Sequence, residues 1–273
     1  MQPAPRKVRP IGIYVAIVTV AASAVVVWSI LNAGNANFRS DTAFWLFLAA
    51  TVFGELRPIR SPIGQAGLEI TVSTTFAFAI LLTSGLMPAL ITLSLATLLA
   101  DLLARKTWWK VLFNLSQYIL TVAVAAAALH VISDIPRSGG AVVFSHPRDF
   151  LSVIGATIAF FVINSTMTGV ALALAHRLPI LDVLRDDITF QAASNVALLG
   201  LAPVVVVAAD RSVWLLPALL MPLVVAYKAA LVSVEKEQQR THDSLTGLPN
   251  RSLFQELATT AIRLAGANDR CVA

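Results

Sequence analysis

Between Ile11 and Leu31 the chain runs for 21 residues without a single charged side chain. As a helix rising 1.5 Å per residue, this run is about 31 Å long, close to the roughly 30 Å hydrocarbon core of a bilayer. A soluble fold has little use for such a segment, and the composition of the whole chain agrees. Hydrophobic residues make up 57% and charged residues only 13%, about half the charge that a soluble surface carries. A bilayer removes the need for a charged surface but requires every backbone polar group to be paired internally, which favours helices. The expectation is an all-α polytopic membrane protein.

The basic, proline-rich stretch before the first run (Arg6, Lys7, Arg9) looks like the start of a signal peptide. The run is longer than the roughly 7–15 residues of a cleaved signal, and Asn32-Ala33-Gly34-Asn35 is a poor cleavage site, so a retained span is expected. Seven more apolar segments follow: Thr42–Phe53, Ile70–Thr83, Met87–Leu103, Val111–Ile132, Phe150–Ala175, Ile188–Ala209 and Val213–Leu231. Thr42–Phe53 and Ile70–Thr83 fall short of the roughly 20 residues that cross hydrocarbon unaided. They are read as tilted, extended or re-entrant. With eight segments both termini lie on one side, together with ten basic residues: Arg6, Lys7, Arg9, Arg57, Arg60, Arg105, Lys106, Lys110, Arg177 and Arg185. The other side carries Arg39, Arg137, Arg148 and Arg211. Ten against four places both termini in the cytoplasm by the positive-inside rule. A lone cysteine, Cys271, allows no intrachain disulfide and fits a soluble part facing a reducing cytoplasm. The localisation expected is the bacterial inner membrane.

Polar residues inside the apolar segments are costly unless paired. Three groups stand out: Asn114, Gln117 and Tyr118 in the fifth segment, Asn164 and Thr168 (with Ser165 and Thr166) in the sixth, and Gln191 and Asn195 (with Ser194) in the seventh. Asn114 and Tyr118, and likewise Gln191 and Asn195, share a helical face at i, i+4. One reading is interhelical hydrogen bonding; the other is a small intramembrane pocket for a ligand, with Asp101 at its edge. Trp108 and Trp109, between Lys106 and Lys110, read as an interfacial anchor or a lipid-headgroup contact. His130 and His176 fall at opposite membrane faces and cannot share a metal, and no catalytic spacing appears among the apolar segments.

Past Val232 the chain becomes charged and lacks glycine and proline through Thr241, which predicts a helix continuing from the last segment. Leu231, Val234, Gln238, Thr241 and Leu245 follow the 3, 4 spacing of a coiled coil, over barely two heptads and with two polar members. Next comes Asp243-Ser244-Leu245-Thr246-Gly247-Leu248-Pro249-Asn250-Arg251. Gly247 permits a turn, Pro249 biases Leu248 away from helix, and Asn250 or Ser252 can cap a helix running to about Leu264. Read as D-x-L-T-G-L-x-N-R, this stretch resembles the opening motif of the GGDEF domain, the catalytic module of diguanylate cyclases. The residues that carry the resemblance are Asp243, Leu245, Thr246, Gly247, Leu248, Asn250 and Arg251.

The resemblance implies an α/β domain that begins here and works as a dimer. Two GTP-loaded copies, assisted by Mg²⁺-type ions, would join their nucleotides into cyclic di-GMP. It also implies a metal-binding aspartate and a Gly-Gly-Asp/Glu-Glu-Phe hairpin further on, and neither position occurs in residues 1–273. The expected organisation is a basic N-terminus (1–10), a transmembrane sensor or anchor (11–231), a linker helix (232–242) and the first part of a GGDEF domain (243–273). The expected partners are the lipid bilayer, a second copy through the linker helix and an unidentified small-molecule or membrane signal, with no nucleic acid. The chain as given is expected to hold no catalytic or metal residues and no cofactor, and to be inactive. The parent protein would be a diguanylate cyclase, with or without a phosphodiesterase domain. The alternative is a small-molecule transporter or binding protein with a short cytoplasmic tail.

Overall fold

The structure is a computed structural model that describes residues 10–32, 41–60, 69–133, 135, 144, 146–185, 188–216, 218, 250, 254, 255 and 258, with backbone alone at 59–60, 69–70, 188–191 and 193–194. Among these residues it is all-helical apart from one short ladder. The helices are α1 (Pro10–Leu31), α2 (Thr42–Glu55), α3 (Ser73–Ser84), α4 (Leu86–Leu103), α5 (Trp108–Ser133), α6 (Pro147–His176), α7 (Ile180–Arg185) and α8 (Ile188–Arg211), followed by one 3₁₀ turn at Val213–Leu215. The ladder pairs β1 (Ile59–Arg60) with β2 (Glu69–Ile70). The chain divides into two units, one holding residues 1–58 and 70–220 and the other holding 59–69 and 221–273.

Four helices, α1, α4, α5 and α6, are long and apolar enough to cross a membrane. Each follows the segment read from the sequence and exceeds it at one or both ends. The reason at α6 is local: Pro147 opens the helix, and the His146 N–H donates to Asp149 Oδ2 at 3.1 Å, pairing a group near the helix start that would otherwise lack a partner. The short segments stay short. At 14 and 12 residues, α2 and α3 span about 21 and about 18 Å, less than the hydrocarbon thickness. The eight-segment count therefore exceeds the four helices of spanning length found among the described residues. Val213–Leu231 lies mostly outside those residues, as does the linker helix at 232–242.

The larger unit is organised around α3. Every residue from Ser73 to Leu82 is buried, and the helix is packed by α2, α4 and α8. A short helix with no exposed face needs no polar side, and its sequence supplies none beyond serine and threonine hydroxyls. It ends at Gly85, whose φ of 85° suits glycine, and α4 begins at the next residue. A second set of contacts joins α1, α5 and α6, where Val15, Val18, Phe113 and Ala171 form a buried cluster capped by Tyr14, Trp109 and Met167. The outward faces remain apolar, with Ile17, Val20, Leu95, Leu102 and Ile158 exposed, as a lipid-facing surface requires.

In the smaller unit, Phe254, Gln255 and Ala258 are helical, and the Phe254 N–H donates to the Asn250 carbonyl at 2.9 Å. The other family-motif residues, Asp243, Leu245, Thr246, Gly247, Leu248 and Arg251, lie outside the described residues.

Candidate functional site

The most concentrated polar chemistry lies where the end of α2, the start of α3, the end of α4 and the start of α5 meet. Glu55 is the last residue of α2 and only 8% exposed. Ser73, the first residue of α3, hydrogen-bonds its carboxyl through Oγ and lies 2.7 Å from Thr71 Oγ1, while Thr97 Oγ1 of α4 approaches the other carboxyl oxygen at 3.4 Å. This meeting depends on Gly54. A β-carbon there would lie 2.6 Å from the Ser73 backbone nitrogen, so the two helices touch main chain to main chain.

One turn beyond Thr97, Asp101 is 3% exposed. Its Oδ1 lies 2.9 Å from Lys106 Nζ, and its Oδ2 accepts from Asn114 Nδ2 of α5 at 2.8 Å. The end of α4 explains how Lys106 returns to a residue of its own helix. The Lys106 N–H donates to the Asp101 carbonyl at 3.0 Å and the Arg105 N–H to the Leu102 carbonyl at 3.0 Å, with Arg105 left-handed at φ 51°. This is a Schellman cap, and it folds the chain back so that the ammonium reaches the Asp101 carboxylate.

The electrostatics of the two carboxyls differ. Asp101 has a cation and an amide, whereas Glu55 has hydroxyls. The start of α3 next to Glu55 offers a partial positive charge worth about 0.3–2 kcal/mol to an anion. An ion buried without a counter-ion costs several kcal/mol, so burial is the larger effect.

The residues read from the sequence as one pocket divide among different partners. Gln117 of α5 hydrogen-bonds Asn164 of α6, and its Nε2 lies 3.5 Å from Thr121 Oγ1. Asn114, three residues before Gln117, turns to Asp101. Tyr118 and Thr168 are half-buried on α5 and α6, and Asn195 is half-buried on α8. The side chain of Gln191 lies outside the described residues. Neighbouring bonds also fasten helices: Tyr14 Oη donates to the Met167 carbonyl at 3.1 Å, Ser116 Oγ to Thr19 Oγ1 at 3.3 Å, and Thr75 Oγ1 to the Leu198 carbonyl at 2.8 Å. Leu198 precedes Leu199, the carbonyl that Pro203 leaves without its helical donor.

A separate shallow recess is lined by Asp41, Phe44, Phe47, Thr83, Val206 and Asp210, among others. It measures about 230 Å³ with its open mouth included. At the start of α5, Trp108 is exposed and the Lys110 ammonium sits 5.5 Å from the centre of the Trp109 ring. That arrangement suits the edge of a bilayer. Among the described residues, no three His, Cys, Asp or Glu side chains come together as metal ligands.

In the sequence, Asp101 marks the edge of the candidate pocket, whereas Glu55, Thr71, Ser73, Thr97 and Lys106 are not among its residues. Glu55 had a signal: it is the one charge that follows a 12-residue apolar run without leaving the helix. The hydroxyls had none, because serine and threonine are common in membrane helices.

These features define a class: a protein helical over almost all of its described residues, with four helices among them fit to cross a membrane and a buried polar junction between helix ends. Neither family models, curated proteins nor solved structures give a match to this chain.

Proposed function

We propose that this chain is the membrane sensor and anchor portion of a cyclic di-GMP signalling protein, passing a signal through the linker helix at 232–242 to a dimeric catalytic domain of the GGDEF type. The observation that carries the reading is the stretch from Asp243 to Arg251, which follows the last apolar segment after a short charged helix sequence. Ten of the fourteen basic residues assigned to loops or the N-terminus fall on its side when eight segments are counted, which sets both termini in the cytoplasm of a bacterial inner membrane. In that arrangement α2 and α3 are short or re-entrant segments packed against each other and against α4.

Mg²⁺ and GTP belong to the catalytic part of such a domain, and residues 1–273 contain no Gly-Gly-Asp/Glu-Glu-Phe sequence. Joined in frame to the remainder of a GGDEF domain, residues 1–273 should direct membrane-bound synthesis of cyclic di-GMP from GTP and Mg²⁺. Gly247→Val and Asn250→Ala should each lower that synthesis by disturbing the turn. Synthesis unchanged by either substitution overturns the reading.

A second reading, a small-molecule transporter or binding protein, draws on the interruption of an apolar stretch at Gly85, since transporters build binding sites at broken helices. Ligand uptake in proteoliposomes would favour it.

A further inference from the structure

Glu55 is a buried titratable group to which neither reading gives a task. Among the described residues, the elements packed most closely against α2 are α3 and α4. Between Ser73 and Ser84, α3 carries no titratable side chain, and α4 carries Asp101 alone. The charge on Asp101 is answered by Lys106 at 2.9 Å. From α5 the group reaching this junction is the uncharged amide of Asn114. Arg57, two residues beyond Glu55, is exposed. Among the described residues the junction therefore holds two carboxyls and one ammonium, with side-chain exposures of 26% for Lys106 and 4% for Asp101. One negative charge is left over, and it falls on the carboxyl surrounded by Ser73, Thr71 and Thr97 hydroxyls.

We infer that Glu55 is a proton-binding site, its carboxyl carrying a hydrogen in the folded chain at neutral pH and serving as a pH-sensitive latch between α2 and α3. The step is proton transfer alone: one carboxylate oxygen forms an O–H bond as hydronium gives up a proton and becomes water. A protonated carboxyl keeps its place in the hydroxyl chain, accepting through one oxygen and donating through the other. Losing the proton leaves a net charge in the junction, and the cheapest relief is to open the Gly54–Ser73 contact and admit water. The hydroxyls and Asp101 would also suit a sodium ion, so the experiment separates the two.

The sign follows from linkage. The folded chain holds the proton more tightly than the unfolded chain, so the stabilisation is complete below the ordinary glutamate value of about 4.3 and is lost as the pH rises through the folded-state titration. Within that window the unfolding equilibrium constant rises by up to about tenfold per pH unit. The test is thermal unfolding of the full chain in detergent across neutral pH. The wild type should lose stability as the pH rises. Glu55→Gln, which mimics the protonated acid, should match the wild type in acid and lack that slope. A slope retained in Glu55→Gln, or a wild type with no slope, overturns the proposal. At high pH, stabilisation by sodium chloride and not by choline chloride would also overturn it, assigning the site to a metal cation. Should Glu55→Gln not fold, the infrared spectrum of the wild type decides. A protonated-carboxyl stretch should persist at neutral pH, and its absence refutes the assignment.

Discussion

Replacing Gly54 with alanine should loosen the junction of α2 and α3. The new β-carbon would stand 2.6 Å from the Ser73 nitrogen, 3.0 Å from its Cα and 3.2 Å from the Val72 carbonyl carbon. All three atoms belong to the main chain, so no side-chain rotation relieves the overlap. Ordinary contact begins near 3.4 Å, so the helices must part by most of an ångström at this point. Overpacking of this kind costs about 1–3 kcal/mol, and a gap of 0.5–1 Å forfeits about a quarter to a half of each van der Waals contact it opens. Alanine recovers at most about 0.5–1 kcal/mol through its better helix propensity, so the net loss should be about 1–2 kcal/mol. Gly200 of α8 is the control, since a β-carbon there meets nothing within 4 Å. Gly200→Ala should stabilise by about 0.5–1 kcal/mol. Thermal unfolding in detergent, followed by tryptophan fluorescence, reads both variants. If Gly54→Ala is neutral, or stabilises as much as Gly200→Ala, the close main-chain approach is refuted.

Other expectations concern sites elsewhere in the larger unit. Arg105→Gly should raise stability by about 1 kcal/mol in the same assay, because the position is left-handed at φ 51° and glycine pays no penalty there. A double-mutant cycle of Gln117→Leu and Asn164→Leu should give a coupling of about 0.6–2 kcal/mol, the range of interhelical hydrogen bonds in membranes; independent effects would contradict the pairing.

Hydrophobic length was the part of the fold that sequence carried well. The runs at Ile11–Leu31, Met87–Leu103, Val111–Ile132 and Phe150–Ala175 each became a helix of spanning length, because an uninterrupted apolar run has few other ways to pair its backbone in lipid. Their exact ends depended on caps, which are set by single residues such as Pro147 and Asp149. The short helix α7 went unread because six residues give too little periodicity to register. The burial of α3 was also hidden. Its sequence is apolar on all sides, which a lipid-facing helix shares with one enclosed by protein.

The polar residues divide along the same line. Spacing along one helix fixes which side chains share its face, but partners are chosen by the neighbouring helices. Asn114 and Gln117 occupy one turn of α5, yet the first serves Asp101 and α4 while the second serves Asn164 and α6. Of the polar residues grouped by intrahelical spacing, the packing joins Gln117 to Asn164 across two helices and turns Asn114 to Asp101. Glu55 shows the converse. It comes at the end of a short apolar run, where a charge reads as the beginning of water. The Gly54–Ser73 contact keeps water out and hands the carboxyl to hydroxyls drawn from the other helices. The chemistry most in need of explanation thus arises where a helix too short to cross the bilayer ends inside the protein, and an exposed end at the same position would leave Glu55 an ordinary surface acid.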